Sequence, residues 1–217
     1  MTGKAVSSPP PTLLAELAHE LRTPLTAIIG FAEVMREQTY GPLGGRYAEC
    51  AQAIHEAGRH LLGLVNDMTD VARIADGRWS RPTESFDIRE PVNEAMRLFS
   101  PLAQARDVRL SAAPPREPVI VVASRQAISQ ILTNLLSNAF NATPCGGSVT
   151  IEVAAEGPDL RLQVIDSGAT ERADGAGEGL GLTLVRALCG VHGGRFDLAL
   201  SDTGAVATAR LPIVARR

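Results

Sequence analysis

At 217 residues, 45% hydrophobic and 21% charged, the chain is long enough for one large or two modest domains and carries apolar material for a core. Its net charge is −3, with almost all of the positive charge on arginine and no basic cluster along a helix face, which argues against nucleic acid as a partner. No apolar run reaches the length of a membrane-spanning helix, and residues 1–11 read as a Ser/Pro-rich tail without a signal-peptide core, so a cytoplasmic location is expected.

The first element is a helix. Leu14, Leu17, Leu21, Ile28, Phe31 and Met35 follow a three-four spacing interrupted only at Pro24, so they form one apolar seam. On a heptad count from Leu14 as position a, His19 falls at f, farthest from the seam, and its ring should face water. An exposed histidine on a helix usually carries no chemistry, but here Glu20 stands beside it and Thr23 one turn further on. Neutral imidazole is the nucleophilic form, and a carboxylate can orient or deprotonate the ring for attack on phosphorus. Thr23 can hold a water in line for the reverse reaction. Pro24 removes a backbone donor and should bend or loosen the turn after the histidine.

Thr39 to Gly45 is rich in glycine and proline and breaks the helix. Tyr47, Cys50, Ile54, Ala57, Leu61, Leu64, Met68 and Val71 then resume the three-four pattern, giving an antiparallel helical hairpin over residues 12–76. One hairpin cannot bury such a stripe alone. Two copies would make a four-helix bundle, so a homodimer is predicted; the competing arrangement packs the stripe on the rest of the same chain. His55 and His60 on the second helix are read as surface residues without chemistry, and His192 as a residue that favours a helix C-terminus.

Residues 77–84 are polar and turn-rich and read as a linker into a second domain over residues 85–217. There, Ser85 to Ile88, Val108 to Ser111 and Val119 to Val122 read as strands, and Pro91 suits the start of a helix. Ile128, Ile131, Leu132, Leu135 and Leu136 mark a buried helix face ending near Thr143. Val149 to Val153 and Leu160 to Ile165 alternate as adjacent strands, Leu180 to Val191 is a helix stopped by Gly193-Gly194, and two strands close the chain. Helices on one face of a mixed sheet are the simplest packing. Cys50, Cys145 and Cys189 are odd in number and far apart, which fits reduced, structural thiols.

Three polar features interrupt this framework. Asn134, Asn138 and Asn141 share a helix face, where an amide oxygen can ligate a hard cation such as Mg2+. Asp166-Ser167-Gly168 ends a strand, where a carboxylate can accept a hydrogen bond from an exocyclic amine and glycine permits close approach of a base. Gly177-Glu178-Gly179-Leu180-Gly181-Leu182 opens a helix whose free donors favour phosphate oxygens. Each alone is a weak signal with an ordinary capping or turn explanation. Their order along one chain is the stronger observation.

In that order they resemble the catalytic core of a two-component sensor histidine kinase, from about Leu13 to Leu211. His19 to Leu25 resembles the H box, Asn134 to Ala139 the N box, Asp166 to Gly168 the first glycine box and Gly177 to Leu182 the second. Gly41-Pro42-Leu43 and Ile54-His55 are similar to kinases of the PleC and DivJ type. The resemblance implies an all-α dimerisation and phosphotransfer hairpin, a four-helix bundle in the dimer, followed by an ATP-binding α/β sandwich of the GHKL (Bergerat) type. It further implies His19 as phosphoacceptor, Glu20 as acid or base, and Thr23 at the position linked to phosphatase action. For the nucleotide it implies Asn138 as Mg2+ ligand, Asp166 as the adenine contact, and Gly179 and Gly181 close to the phosphates of ATP. A response-regulator receiver domain is the implied partner.

Three positions depart from the family pattern. Thr170 stands where a second glycine is usual, only Ala169 to Ala176 separates the glycine boxes in place of a longer lid, and Asn141 replaces a basic residue found in many members. Looser nucleotide binding and faster exchange are expected. A phosphotransfer or phosphatase module with a degenerate ATP site is the alternative. A mechanical ATPase of the chaperone or gyrase class leaves the hairpin unexplained.

Overall fold

A computed structural model describes residues 11–80, 82–168 and 179–212, with the backbone alone described for residues 11–17. The chain divides into two compact units between Trp79 and Ser80.

The first unit is a hairpin of α1 (Pro11–Arg36) and α2 (Gly45–Ala75). The turn between them uses a left-handed Gln38 at φ 53° and Gly41 at φ 118°, the second of which only glycine adopts readily. α1 runs on through Pro24, whose missing N–H leaves the Glu20 carbonyl without its usual partner four residues on. Thr26 Oγ1 donates to the Arg22 carbonyl at 2.8 Å in the same turn.

The surface between the two helices is lined by small residues. Ala18, Ala32, Ala51, Gly58, Val65 and Ala72 are buried. A Cβ added to Gly58 would lie 2.8 Å from Ile29 Cγ1, so the helices meet at a distance only small side chains allow. Several large residues of the two apolar repeats turn away from this surface. Leu21, Ile28, Ile54 and Leu61 are each nearly half exposed, and Phe31 is 72% exposed, so the stripe is not covered within the hairpin.

His55, expected at the surface, is instead buried between the helices, with Nδ1 3.0 Å from Glu33 Oε2. It lies beside the apolar stripe on the flank that faces α1, and the Glu33 carboxylate makes its burial tolerable. His60 is exposed as expected.

In the second unit the strands form two sheets. β1 (Glu84–Asp87) pairs antiparallel with β3 (Ile120–Ala123), separated in sequence by α3 (Arg89–Ala105) and β2 (Arg109–Ala113). β1 thus begins at Glu84, inside the stretch read as linker. After α4 (Arg125–Ala142) come β4 (Ser148–Glu156), β5 (Asp159–Asp166), α5 (Leu180–Val191), β6 (Arg195–Ser201) and β7 (Gly204–Pro212). The larger sheet has the order β2-β4-β5-β7-β6, with β2 and β4 parallel and the other pairs antiparallel.

Alternation fixes which face is covered. Val149, Ile151, Leu160, Leu162 and Val164 are buried on the side carrying the helices, where Ile131, Leu132, Leu135 and Leu136 of α4 and Leu184, Val185 and Leu188 of α5 are also fully buried. Each such side chain contributes roughly 1.5–3 kcal/mol by leaving water. Phe99 of α3 stacks on Phe140 of α4 at 5.5 Å between ring centres. The opposite face is polar: Arg161 reaches Glu156 at 2.6 Å, and Gln163 Nε2 donates to Thr208 Oγ1 at 2.9 Å. α4 starts cleanly because Ser124 Oγ accepts the Ala127 N–H at 3.3 Å.

Candidate phosphoacceptor and nucleotide sites

In the hairpin, Ala18 is buried against α2 while His19, Glu20 and Thr23 are all exposed. A helix advances about 100° per residue, so anchoring residue 18 turns residue 19 outward, and residue 23 lies one turn beyond it on the same side. Arg22 is held back by its Nη2, which donates to Asn66 Oδ1 on α2 at 2.9 Å. This bond links α1 to α2 at the turn that carries His19. Beside it, Ala18, Glu20, Leu21, Val65 and Met68 line a cavity of about 320 Å³.

In the second unit, a cavity of about 390 Å³ opens at the end of β5. Asn138, Asn141, Asp166 and Gly168 give it polar groups; Leu182, Leu198, Leu200, Ala205 and Ala207 supply an apolar wall. Asp166 is 9% exposed, and its Oδ1 accepts the Gly168 N–H at 2.9 Å, which turns the chain just beyond the strand. A Cβ on Gly168 would overlap the Ala142 carbonyl oxygen, so this turn packs on the end of α4 only as glycine.

α5 begins at the rim. Gly179 is its N-cap, and the Gly179 carbonyl accepts the Leu182 and Thr183 N–H groups at 3.0 and 3.1 Å, with no side-chain cap on the preceding donors among the described residues. The N–H groups of Leu180 and Gly181 thus belong to an uncapped helix start that favours anions. A Cβ on Gly181 would lie 3.1 Å from Asn134 Oδ1 and 3.7 Å from Asn138 Nδ2, so the two asparagines and this glycine form one surface. Gly177 and the short segment between the glycine boxes fall in residues 169–178, outside the described residues.

Asn138 Nδ2 is buried and has no hydrogen-bond partner among the described residues. Turning the amide over puts its oxygen in that orphaned position, the donor a hard cation takes when phosphates and water fill its other places. The apolar wall suits a flat base and the Asp166 carboxylate an exocyclic amine. The α5 start suits phosphate, so the cavity's residues are chemically suited to an adenine nucleotide.

The sequence-level residues therefore separate into two groups. Asn138, Asn141, Asp166 and Gly168 line one cavity, with Asn134, Gly179, Leu180 and Gly181 at its edge, while His19, Glu20 and Thr23 stand on the hairpin. Sequence reasoning missed Leu198, Leu200, Ala205 and Ala207. They reach the cavity because Asp166 pairs with Ala205 across β5 and β7. The alternation of small residues in β7 was the available signal.

Comparison with known proteins matches residues 12–77 to the His Kinase A (phospho-acceptor) domain and residues 123–215 to the histidine kinase-, DNA gyrase B- and HSP90-like ATPase. The chain is 40% identical over 220 residues to the histidine protein kinase DivJ of Caulobacter vibrioides, covering 93% of this chain and 37% of that protein. It is 36% identical over 157 residues to the cell-division control histidine kinase PdhS of Brucella suis, covering 71% of this chain and 15% of that one. The chain thus spans well under half the length of these curated relatives. Its fold matches full-length ShkA, solved in complex with AMPPNP, with a TM-score of 0.76 and 28% identity over 95% of this chain and 46% of that one. With a phosphoacceptor hairpin and a GHKL-type ATPase unit in this order, the chain belongs to the sensor histidine kinases.

Proposed function

We propose that residues 12–76 form a dimerisation and phosphotransfer hairpin and residues 85–217 an ATP-binding domain, which together autophosphorylate His19 and pass the phosphoryl group to an aspartate of a response-regulator receiver domain. The observation that carries this reading is the coexistence of an outward His19 flanked by Glu20 and Thr23 with a cavity built around a buried carboxylate, Asp166.

The chemistry follows from the side chains. Asp166 accepts from the exocyclic amine of adenine, and the apolar wall of β6 and β7 covers the base. The uncapped start of α5 takes phosphate oxygens. Asn138 would ligate Mg2+, which when bound neutralises phosphate charge. Neutral His19 attacks the γ-phosphorus of ATP as ADP leaves; Glu20 takes the proton from the opposite ring nitrogen, so the imidazole does not keep a positive charge. The receiver aspartate then attacks the same phosphorus as Glu20 returns the proton to the opposite ring nitrogen, and His19 departs as neutral imidazole. Thr23, on the same side as His19, would place a water for hydrolysis of the receiver's acyl phosphate.

The exposed stripe of Leu21, Ile28, Phe31, Ile54 and Leu61 supports a homodimer in which two hairpins form a four-helix bundle. Among the described residues no helix is long and apolar enough to cross a membrane.

A second reading keeps the hairpin chemistry but not the kinase. Thr170, the short stretch from Ala169 to Ala176 and the uncharged Asn141 at the cavity favour a phosphotransfer or phosphatase module with a degenerate ATP site. Titration calorimetry of the Mg2+-supplied chain with AMPPNP separates the two. Saturable binding lost in Asp166→Ala supports the kinase; no heat of binding overturns it.

A further inference from the structure

Asp166 is the last residue of β5, and its own bond to the Gly168 N–H turns the chain only after the strand has ended. Two neighbours act on the strand end itself. On the β4 side, Ser148 and Ser167 face each other at the point where the ladder ends. Ser167 N–H donates to the Ser148 carbonyl at 3.0 Å, as in any antiparallel pair. The return bond differs: Ser148 N–H is taken by Ser167 Oγ at 2.8 Å, in place of the Ser167 carbonyl. The hydroxyl satisfies the β4 donor while leaving the backbone of Ser167 free to depart from the sheet toward Gly168 and the end of α4.

On the β7 side, Gly204 begins the strand at φ 150°, and a Cβ there would overlap the carbonyl oxygen of Asp166 and lie 3.2 Å from Ser167 Cα. The atoms in the way are backbone, so no side-chain rotation makes room. The absence of a side chain lets β7 close on Asp166 in the register Asp166 to Ala205, which also brings Ala205 to the cavity wall.

We infer that Ser167 and Gly204 are positioning residues that fix the height and direction of the Asp166 carboxylate, and through it the preference of the site for a purine carrying an exocyclic amine. Neither needs to touch the nucleotide. The inference rests on the adenine-reading role proposed for Asp166.

The test compares binding of ADP and of inosine diphosphate, which lacks that amine, by calorimetry on the full chain with Mg2+. Wild type should bind ADP at least tenfold more tightly, and Asp166→Ala should remove the preference. Ser167→Ala and Gly204→Ala should each narrow the ratio several-fold by weakening ADP more than inosine diphosphate, and Ser167→Thr, which keeps the hydroxyl, should restore it. Should Gly204→Ala fail to fold, the Ser167 pair of variants decides alone. Equal weakening of both nucleotides, or an unchanged ratio, in Ser167→Ala would reduce the serine to a structural part and overturn the inference. A wild type that does not discriminate would instead remove the role of Asp166 itself, and the inference with it.

Discussion

Across the hairpin, Nδ1 of buried His55 on α2 stands 3.0 Å from Oε2 of Glu33 on α1, and Glu33 also pairs with Arg36 one turn further along. His55 Nδ1 makes no hydrogen bond among the described residues, so the contact is electrostatic. The hydrogen bond from Arg36 holds the Glu33 carboxyl below its ordinary value, and the nearby His55 acts in the same direction.

The sign of the pH dependence follows. A depressed carboxyl value means that the stabilisation is complete above the ordinary glutamate pKa of about 4.3 and fades as pH falls through the lowered one. Glu33 faces Arg36, Glu37 and His55, so Glu33→Gln should remove this part of the acid sensitivity of the helical signal in circular dichroism. His55→Ala, which empties a buried position, should cost about 1–3 kcal/mol at neutral pH.

The exposed stripe gives a second expectation. Phe31→Asp or Ile28→Glu places a charge on a surface that a second hairpin would cover, and should convert a dimer into a monomer in light scattering at micromolar concentration. A mass unchanged from wild type would place the dimer contact elsewhere.

Cys189 on α5 supplies a third. Burial pushes its thiol up to about 12, with Arg186 opposing weakly. The unfolded chain ionises its cysteines near 8.5, so stability should fall as pH rises from there toward 12, at a slope approaching 1.4 kcal/mol per unit, and Cys189→Ala should remove that slope. In the native protein Cys145, which is exposed, should react readily with a thiol reagent, and Cys189 only on unfolding. Cys50, exposed in the single hairpin but part of the repeat on α2, should be slowed by dimerisation.

What could be read from the chain depended on whether the signal was local. The heptad repeats announce two helices because residues three and four apart share a face, β4 and β5 follow from alternation, and α4 follows from the apolar face of Ile128, Ile131, Leu132, Leu135 and Leu136. The inner surface of the hairpin was hidden because it is lined largely by small residues such as Ala18, Ala51 and Gly58, which fall outside the conspicuous apolar repeat, whereas Leu21, Ile28, Phe31, Ile54 and Leu61 of that repeat face outward. His55 was misplaced for the same reason, since its partner Glu33 is distant in sequence. At the cavity, Asn138, Asp166 and Gly168 were legible as short motifs. Leu198, Leu200, Ala205 and Ala207 were not, because only the pairing of β5, β7 and β6 brings them there.

Labelling tests whether the nucleotide unit and His19 act in one reaction. With γ-labelled ATP and Mg2+, the full chain should acquire an acid-labile, base-stable phosphoryl group that His19→Ala abolishes and Asp166→Ala strongly reduces, and that a cognate receiver domain removes. A folded, nucleotide-binding wild type that takes up no label, or a His19→Ala variant labelled as well as wild type, would rule out autophosphorylation at His19.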